Sequence, residues 1–330
     1  MNPHPASFAH RTSSPELREI TVTAPARLHF GLLRFGQRQG RQFGGAGVMI
    51  DRPSLTVRVT PSRHLQVRGP HADRIHQVVH RWIAEANQGQ SPQCNIEVVT
   101  PIPPHRGLGS GTQLALGVAA GLAAFHQRRW NDAEQLAAVA GRGRRSAVGT
   151  HGFCHGGFIA ELGKRPDEIL APLYRAIAMP SSWRVVLFRS GKTLGLAGAA
   201  EQAAFRQLPP VPQDTSERLE RLLCEEMTPA LERSDFARFS HAVGTYGELA
   251  GSCFSACQGG PYAGAEITRL VQICRDAQYF GAGQSSWGPT AFVFAEDERQ
   301  ATQLKRTLAK SFPQAEIDIS SLNHGGAVIS

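Results

Sequence analysis

Lysine is nearly missing from this chain: of its 35 Lys and Arg residues, only Lys164, Lys192, Lys305 and Lys310 are lysines. The net charge of +8 is therefore carried by arginine, whose planar fork grips phosphate and carboxylate. The arginines are scattered, and no basic stripe interleaves with aromatics, which argues against a nucleic-acid partner. Cysteine is sparse as well. Cys94, Cys154, Cys224, Cys253, Cys257 and Cys274 include no Cys-x-x-Cys pair and no zinc spacing, so free thiols in a reducing compartment are expected. Long apolar runs are also missing. The longest lies within 114–125, too short to span a bilayer, so no membrane partner is expected. Residues 1–16 lack the apolar stretch of a signal peptide and read as a disordered tail, with the cytoplasm as the expected location. No internal repeat appears. What remains, 41% hydrophobic and 19% charged over 330 residues, suits a globular chain of two domains.

The chain is organised around residues 101–125. A strand over Cys94–Val99 runs into Pro101, Pro103 and Pro104, which end it because proline cannot donate to a ladder. Gly107-Leu108-Gly109-Ser110-Gly111-Thr112-Gln113 follows. Its alternate glycines permit positive φ and a close backbone approach to a ligand, while Ser110 and Thr112 are good N-cap residues. The next helix is apolar on every face through Phe125, which predicts burial, and its first N–H groups and dipole point back into the loop. That is a site for phosphate or diphosphate. On the loop alone, a glycine-rich turn before a core helix competes with this reading. The run matches neither Gly-x-x-x-x-Gly-Lys-Ser/Thr nor Gly-x-Gly-x-x-Gly.

Four other stretches carry candidate chemistry. Strand periodicity over 19–26 leads into Arg27 and His29, two apart and so on one face. Glycines 44, 45 and 47 precede an apolar strand ending in Asp51, which is either a metal or ribose contact or a turn-forming residue before Arg52-Pro53. Gly141 to Ser146 is rich in glycine and arginine, a second anion cradle with Arg145 and Ser146, followed by His151 and His155. Gln284-Ser285-Ser286-Trp287-Gly288-Pro289-Thr290 opens an apolar strand, and Trp287 offers a flat face to an aromatic ligand. Strands are further expected over 55–60, 65–67, 183–189 and 316–319. Helices are expected over 73–86, 132–140, 194–205, 216–230, 234–255, 265–277 and 297–311, with 166–180 as a linker.

The Pro-x-x-x-Gly-Leu-Gly-Ser run resembles the phosphate loop of the GHMP kinase superfamily. Those kinases usually continue Ser-Ala-Ala. The continuation Gly111-Thr112-Gln113 is instead similar to a non-kinase branch, the β-ribofuranosylaminobenzene 5′-phosphate synthases. Arg27-Leu28-His29, the 141–158 segment ending His155-Gly156-Gly157-Phe158, and 284–290 resemble the same branch, in the same order. The resemblance implies an α+β fold. Residues 17–180 would form an N-terminal phosphate-binding domain with a left-handed β-α-β unit, residues 181–330 a ferredoxin-like C-terminal domain, and the cleft would lie between. It implies a decarboxylating pentosyltransferase that joins phosphoribosyl diphosphate to 4-hydroxybenzoate or 4-aminobenzoate for tetrahydromethanopterin-type cofactors. Residues 107–113, Arg145, Ser146, Gln284, Ser285, Ser286 and Trp287 would bind substrate. Arg27, His29 and His155 would act in catalysis, with Mg2+ as the divalent metal and Asp51 as its candidate ligand. A homodimer is compatible with this. The alternative is an ATP-dependent small-molecule kinase of the same superfamily.

Overall fold

The computed structural model describes residues 19–330 apart from 38, 129, 131, 191–197 and 287, with the backbone alone at 198–202. The tail at 1–16, the expected helix start at 194–197 and Trp287 lie outside the described residues.

Alternating burial extends the first strand beyond the expected 19–26. β1 spans Ile20–Arg34, with Val22, Ala24, Ala26, Leu28 and Phe30 turned into the core. The glycine-rich and Leu55–Thr60 stretches, expected as two strands, are one: β2, Phe43–Pro61, antiparallel to β1. Then come β3 (Gln66–Arg68), α1 (Ala72–Ala86), β4 (Cys94–Thr100), α2 (Ser110–Phe125), α3 (Ala133–Ala140), α4 (Val148–His155), β5 (Phe158–Glu161) and β6 (Leu173–Ile177). β3 pairs with β4, in parallel through α1, and not with the Leu55–Thr60 stretch. β6 lies inside the expected linker and pairs with β5. α2 is buried on all faces and lies on β1 and β2, and Gly117 and Gly121 set its distance. A Cβ at either would stand 3.0 Å from Leu55 or Val59.

The second half runs β7 (Arg184–Arg189), α5 (Gly198–Gln207), α6 (Gln213–Arg221), a π-helical turn Leu222–Met227, α7 (Thr228–Glu232), α8 (Phe236–Ser252), α9 (Ser255–Gln258), α10 (Ala265–Asp276), β8 (Ala282–Gln284), β9 (Thr290–Ala295), α11 (Glu298–Ser311), β10 (Glu316–Ser321) and β11 (Val328–Ile329). The helix expected over 216–230 is thus interrupted, and β10 is not the last strand. The architecture is α+β. A seven-stranded sheet has the order β11-β1-β2-β4-β3, with β5 and β6 joined through β2. A four-stranded sheet has the order β10-β7-β9-β8. β11 returns from the C-terminal half to pair with β1.

One core runs through both sheets. Phe30 of β1 stacks within 5.4 Å of Phe292 and 6.0 Å of Phe294 on β9, and Phe239 of α8 meets Phe158 of β5. Such aromatic pairs each contribute about 0.5–1.5 kcal/mol beyond area burial. All six cysteines are free thiols. No helix among the described residues is long and apolar enough to cross a membrane.

Candidate active site

The phosphate loop is stitched to two distant segments. The backbone N–H of Arg27 donates to the Leu108 carbonyl at 3.1 Å, and its guanidinium donates to Gly107 O at 3.1 Å. Ser285 Oγ donates to the same Gly107 carbonyl at 2.7 Å and accepts from His29 N at 3.0 Å. Ser286 N in turn donates to His29 O at 3.0 Å. Gly107 has φ 75, and a Cβ there would strike the Ser285 carbonyl and approach Gly288 Cα at 2.9 Å. Only glycine allows this backbone contact.

Gly109, also at φ 75, is the N-cap of α2. That corrects the expectation for Ser110 and Thr112, which sit inside the first turn, as does Gly111. The open N–H groups of this turn and the helix dipole remain available to an anion. Leu108 and Gln113 face the core: Leu108 is buried among apolar groups, and Gln113 donates to Gly149 O at 3.0 Å.

A cleft of about 820 Å³ opens beside this loop. Among the described residues, Arg27, Arg74, Arg81, Arg142, Arg144, Arg145 and Arg206 line it, and no carboxylate does. Arg74, Gln77 and Arg81 recur at helical spacing, so α1 presents all three on one face. Arg142 donates to Gly111 O at 2.7 Å, which ties the 141–146 segment to the start of α2. Burial, and then the charges of Arg74, Arg81 and Arg144, push the Arg142 pKa down to about 10. Cations packed closely enough to disfavour one another form a site for a polyanion.

The remaining wall is aromatic. Phe43, Phe205 and Phe254 line the cleft, and Phe205 stands 5.0 Å from Phe35 and 6.2 Å from Phe43 between ring centres. The Arg145 guanidinium lies 4.8 Å from the Phe205 ring centre, so the cationic and aromatic walls meet there. Gln284 and Ser286 also line the cleft. Gln284 Oε1 accepts from Ala263 N at 2.7 Å and its Nε2 donates to Ser286 O at 3.0 Å, fixing the turn.

His29 reaches the cleft through its ring. Gly31 N donates to Nδ1 at 3.2 Å, so the neutral imidazole carries its hydrogen on Nε2, which lies 2.8 Å from Ser146 Oγ. Burial and the charge of Arg27 hold its pKa well below the ordinary value, so the ring is neutral at pH 7.

Two further expected site residues lie away from the cleft. His155 is exposed at the C-terminus of α4 and does not line the cleft, because the helix turns that face outward. His151, on the same helix, is buried with Nε2 2.8 Å from Ala171 O. Asp51 is also outside the cleft. Its carboxylate accepts from Ser321 Oγ at 2.7 Å and Asn323 Nδ2 at 2.9 Å, a structural tie between β2 and the chain after β10. Arg142 and Arg144 fall within the expected 141–146 anion cradle. Arg74, Arg81, Arg206 and the phenylalanine wall were not singled out from sequence, and the spacing of 74, 77 and 81 on α1 was the signal available for the first two.

The model for the N-terminal domain of GHMP kinases matches residues 74–157, and the model for their C-terminal domain matches residues 227–314. The chain is 27% identical over 300 residues to a β-ribofuranosylphenol 5′-phosphate synthase of Methanothermobacter thermautotrophicus, covering 85% of this chain and 90% of that protein. A protein of the same name from Archaeoglobus fulgidus is 26% identical, with 89% and 93% covered. Among solved structures, mevalonate-3-kinase of Thermoplasma acidophilum superposes with TM-score 0.68 at 12% identity, over 95% of this chain and 99% of that one. Mevalonate diphosphate decarboxylase of Staphylococcus aureus gives 0.66 at 16% identity, over 94% and 98%.

Proposed function

Because the chain belongs to the GHMP kinase superfamily and resembles one synthase branch of it over most of its length, we propose that it is a decarboxylating pentosyltransferase. It joins phosphoribosyl diphosphate to 4-hydroxybenzoate or 4-aminobenzoate and releases diphosphate and carbon dioxide, forming the C-riboside used in tetrahydromethanopterin-type cofactors. The observation that carries this reading is the division of one cleft into an arginine wall, with no carboxylate among the described residues, and a phenylalanine wall. Phosphoribosyl diphosphate has two separate anionic groups and the benzoate adds a third, and each needs donors of this kind.

In this reading the α2 N-terminus and Arg142 stabilise the leaving diphosphate. Phe205 and Phe254 hold the ring, and Arg145, above Phe205, takes the carboxylate. The aromatic wall keeps water from ribose C1 as the diphosphate bond loosens. Among the described residues no group of three His, Cys, Asp or Glu side chains is placed to hold a metal, and the cleft has no acidic ligand. Resident magnesium does not fit this donor set; magnesium enters as part of the diphosphate substrate.

The test supplies magnesium, phosphoribosyl diphosphate and carboxyl-labelled 4-hydroxybenzoate or 4-aminobenzoate. Labelled carbon dioxide and diphosphate should appear in equal amounts, with no ATP consumed. An ATP-dependent phosphorylated product, with no carbon dioxide from either benzoate, would establish the kinase alternative.

A further inference from the structure

One carboxylate stands directly behind the cleft wall and has no role in the reading so far. Glu161 ends β5 and is wholly shielded from solvent. Its Oε1 accepts from Ala147 N at 3.1 Å, its Oε2 from Gly163 N at 2.8 Å, and the Ser146 hydroxyl also hydrogen-bonds to it. Ser146 in turn lines the cleft. The hydrogen directions in this cluster are fixed by its donors. Gly31 N occupies His29 Nδ1, so His29 donates from Nε2 to Ser146 Oγ. Val148 N donates to the same oxygen at 3.2 Å. With two donors arriving on Oγ, Ser146 turns its own hydrogen to Glu161. A hydrogen-bonded path therefore runs from the cleft surface to a carboxylate that water does not reach, while the two histidines suggested by the sequence offer no free acceptor nitrogen in the cleft.

We infer that Glu161, through the Ser146 hydroxyl, takes up the proton that the ring hydroxyl or amino group of the aromatic substrate releases, and later returns it. This rests on the transferase reading. As the ring carbon bearing the carboxylate bonds to ribose C1, the C1–O bond to diphosphate breaks and positive charge spreads to the substituent opposite. That substituent displaces Val148 N, the longer of the two donors on Ser146 Oγ, and gives its proton to that oxygen while Ser146 passes its own to Glu161, leaving a neutral dienone or imine. The bond to the carboxyl carbon then breaks, and carbon dioxide leaves. Its electron pair restores the aromatic ring, and the substituent recovers the proton by the reverse route. No proton is gained or lost overall. Ser146 is the group that touches substrate; Glu161 and His29 act through it.

The surroundings of Glu161 suit a loan. Burial raises its pKa to about 7, restrained by the bonds from Ala147, Gly163 and Ser146 and by the charge of Arg41. The other groups facing it are His29, held neutral, and Tyr246 of α8, whose own pKa is pushed well up by burial and then by Glu161. A group divided between its two forms near neutral pH both accepts and returns a proton readily.

The test measures kcat and KM across pH for the wild type, Ser146→Ala, Ser146→Thr and Glu161→Gln. Wild-type kcat should fall on the acid side with an apparent pKa of about 7, as Glu161 becomes protonated and can no longer accept. Ser146→Ala should lower kcat by about 100-fold and flatten that acid limb, with the KM for phosphoribosyl diphosphate little changed. Ser146→Thr keeps the hydroxyl and should recover both. Glu161→Gln should match the alanine variant; if it does not fold, Ser146→Ala decides. Wild-type kcat with an unshifted acid limb in Ser146→Ala, or a loss confined to KM, would overturn the relay alone. A wild type that releases no carbon dioxide would overturn the transferase reading and the relay with it, and would do so before any substitution is made.

Discussion

The phosphate loop and the cleft walls that face it are made by different means. The phosphate loop is backbone: consecutive residues, two glycines at positive φ, and hydrogen bonds from Arg27 and Ser285 that hold its carbonyls. The facing walls are side chains gathered from α1, the 141–146 segment, β2, α5 and α8 to α9. Backbone placement tolerates almost no change of residue type, because the contact is with main-chain atoms. A side-chain wall loses its contributions one at a time. Damage to the first should therefore be all-or-none, and damage to the second graded.

The largest effect is expected at the loop. Gly107→Val puts a Cβ against the Ser285 carbonyl and Gly288 and forces a β-branched residue to φ 75. Strain of about 1–3 kcal/mol is added where the loop meets its anion. Calorimetric affinity for phosphoribosyl diphosphate should fall by about 100-fold or more, while far-UV circular dichroism stays native. Unchanged affinity would remove the loop from the site.

A smaller loss is expected at the arginine wall. Arg142→Ala removes one charged hydrogen bond, to Gly111 O, worth about 1.5–3 kcal/mol. The KM for the diphosphate substrate should rise by about 10- to 100-fold, and raising the ionic strength should narrow the gap to wild type. A salt-independent defect would mean that Arg142 serves only to brace the loop. The smallest effect belongs to the aromatic wall. Phe205→Ala should weaken benzoate use by about two- to tenfold, the value of one aromatic contact, with affinity for phosphoribosyl diphosphate unchanged. Equal losses for both substrates would show that the two walls do not divide the substrates between them.

The same contrast explains what could be read from sequence. The loop between a proline-terminated strand and an all-apolar helix is a local pattern, so its position and the buried helix after it were legible. Arg27 and His29 share a face by strand periodicity alone. Arg74 and Phe205 lie far apart in the chain and meet only through the fold. An arginine on the polar face of α1 looks like any solvated one until 141–146 is packed across from it. Glu161 was hidden for a related reason: a glutamate at the end of a four-residue strand has no sequence mark of burial, which depends on Ala147, Gly163 and Ser146 closing around it. Asp51 misled in the opposite sense. A strand-terminal Asp beside glycines resembles a ligand, but Ser321 and Asn323, some 270 residues on, take both its oxygens.

The return of β11 to the first sheet has a consequence for how this molecule comes into being. Val22 and Thr23 of β1 pair with Ile329 and Val328, so the outer edge of the strand that carries Arg27 and His29 is finished by residues synthesised after the entire second sheet. During translation that edge emerges unpaired and waits, and the seven-stranded sheet cannot close until the four-stranded one has been made. The two halves are thus laced rather than merely joined end to end. A fragment cut at residue 180 would lack a strand of its own sheet, and the nascent chain meets its longest interval of exposed edge in the stretch on which the cleft is later built.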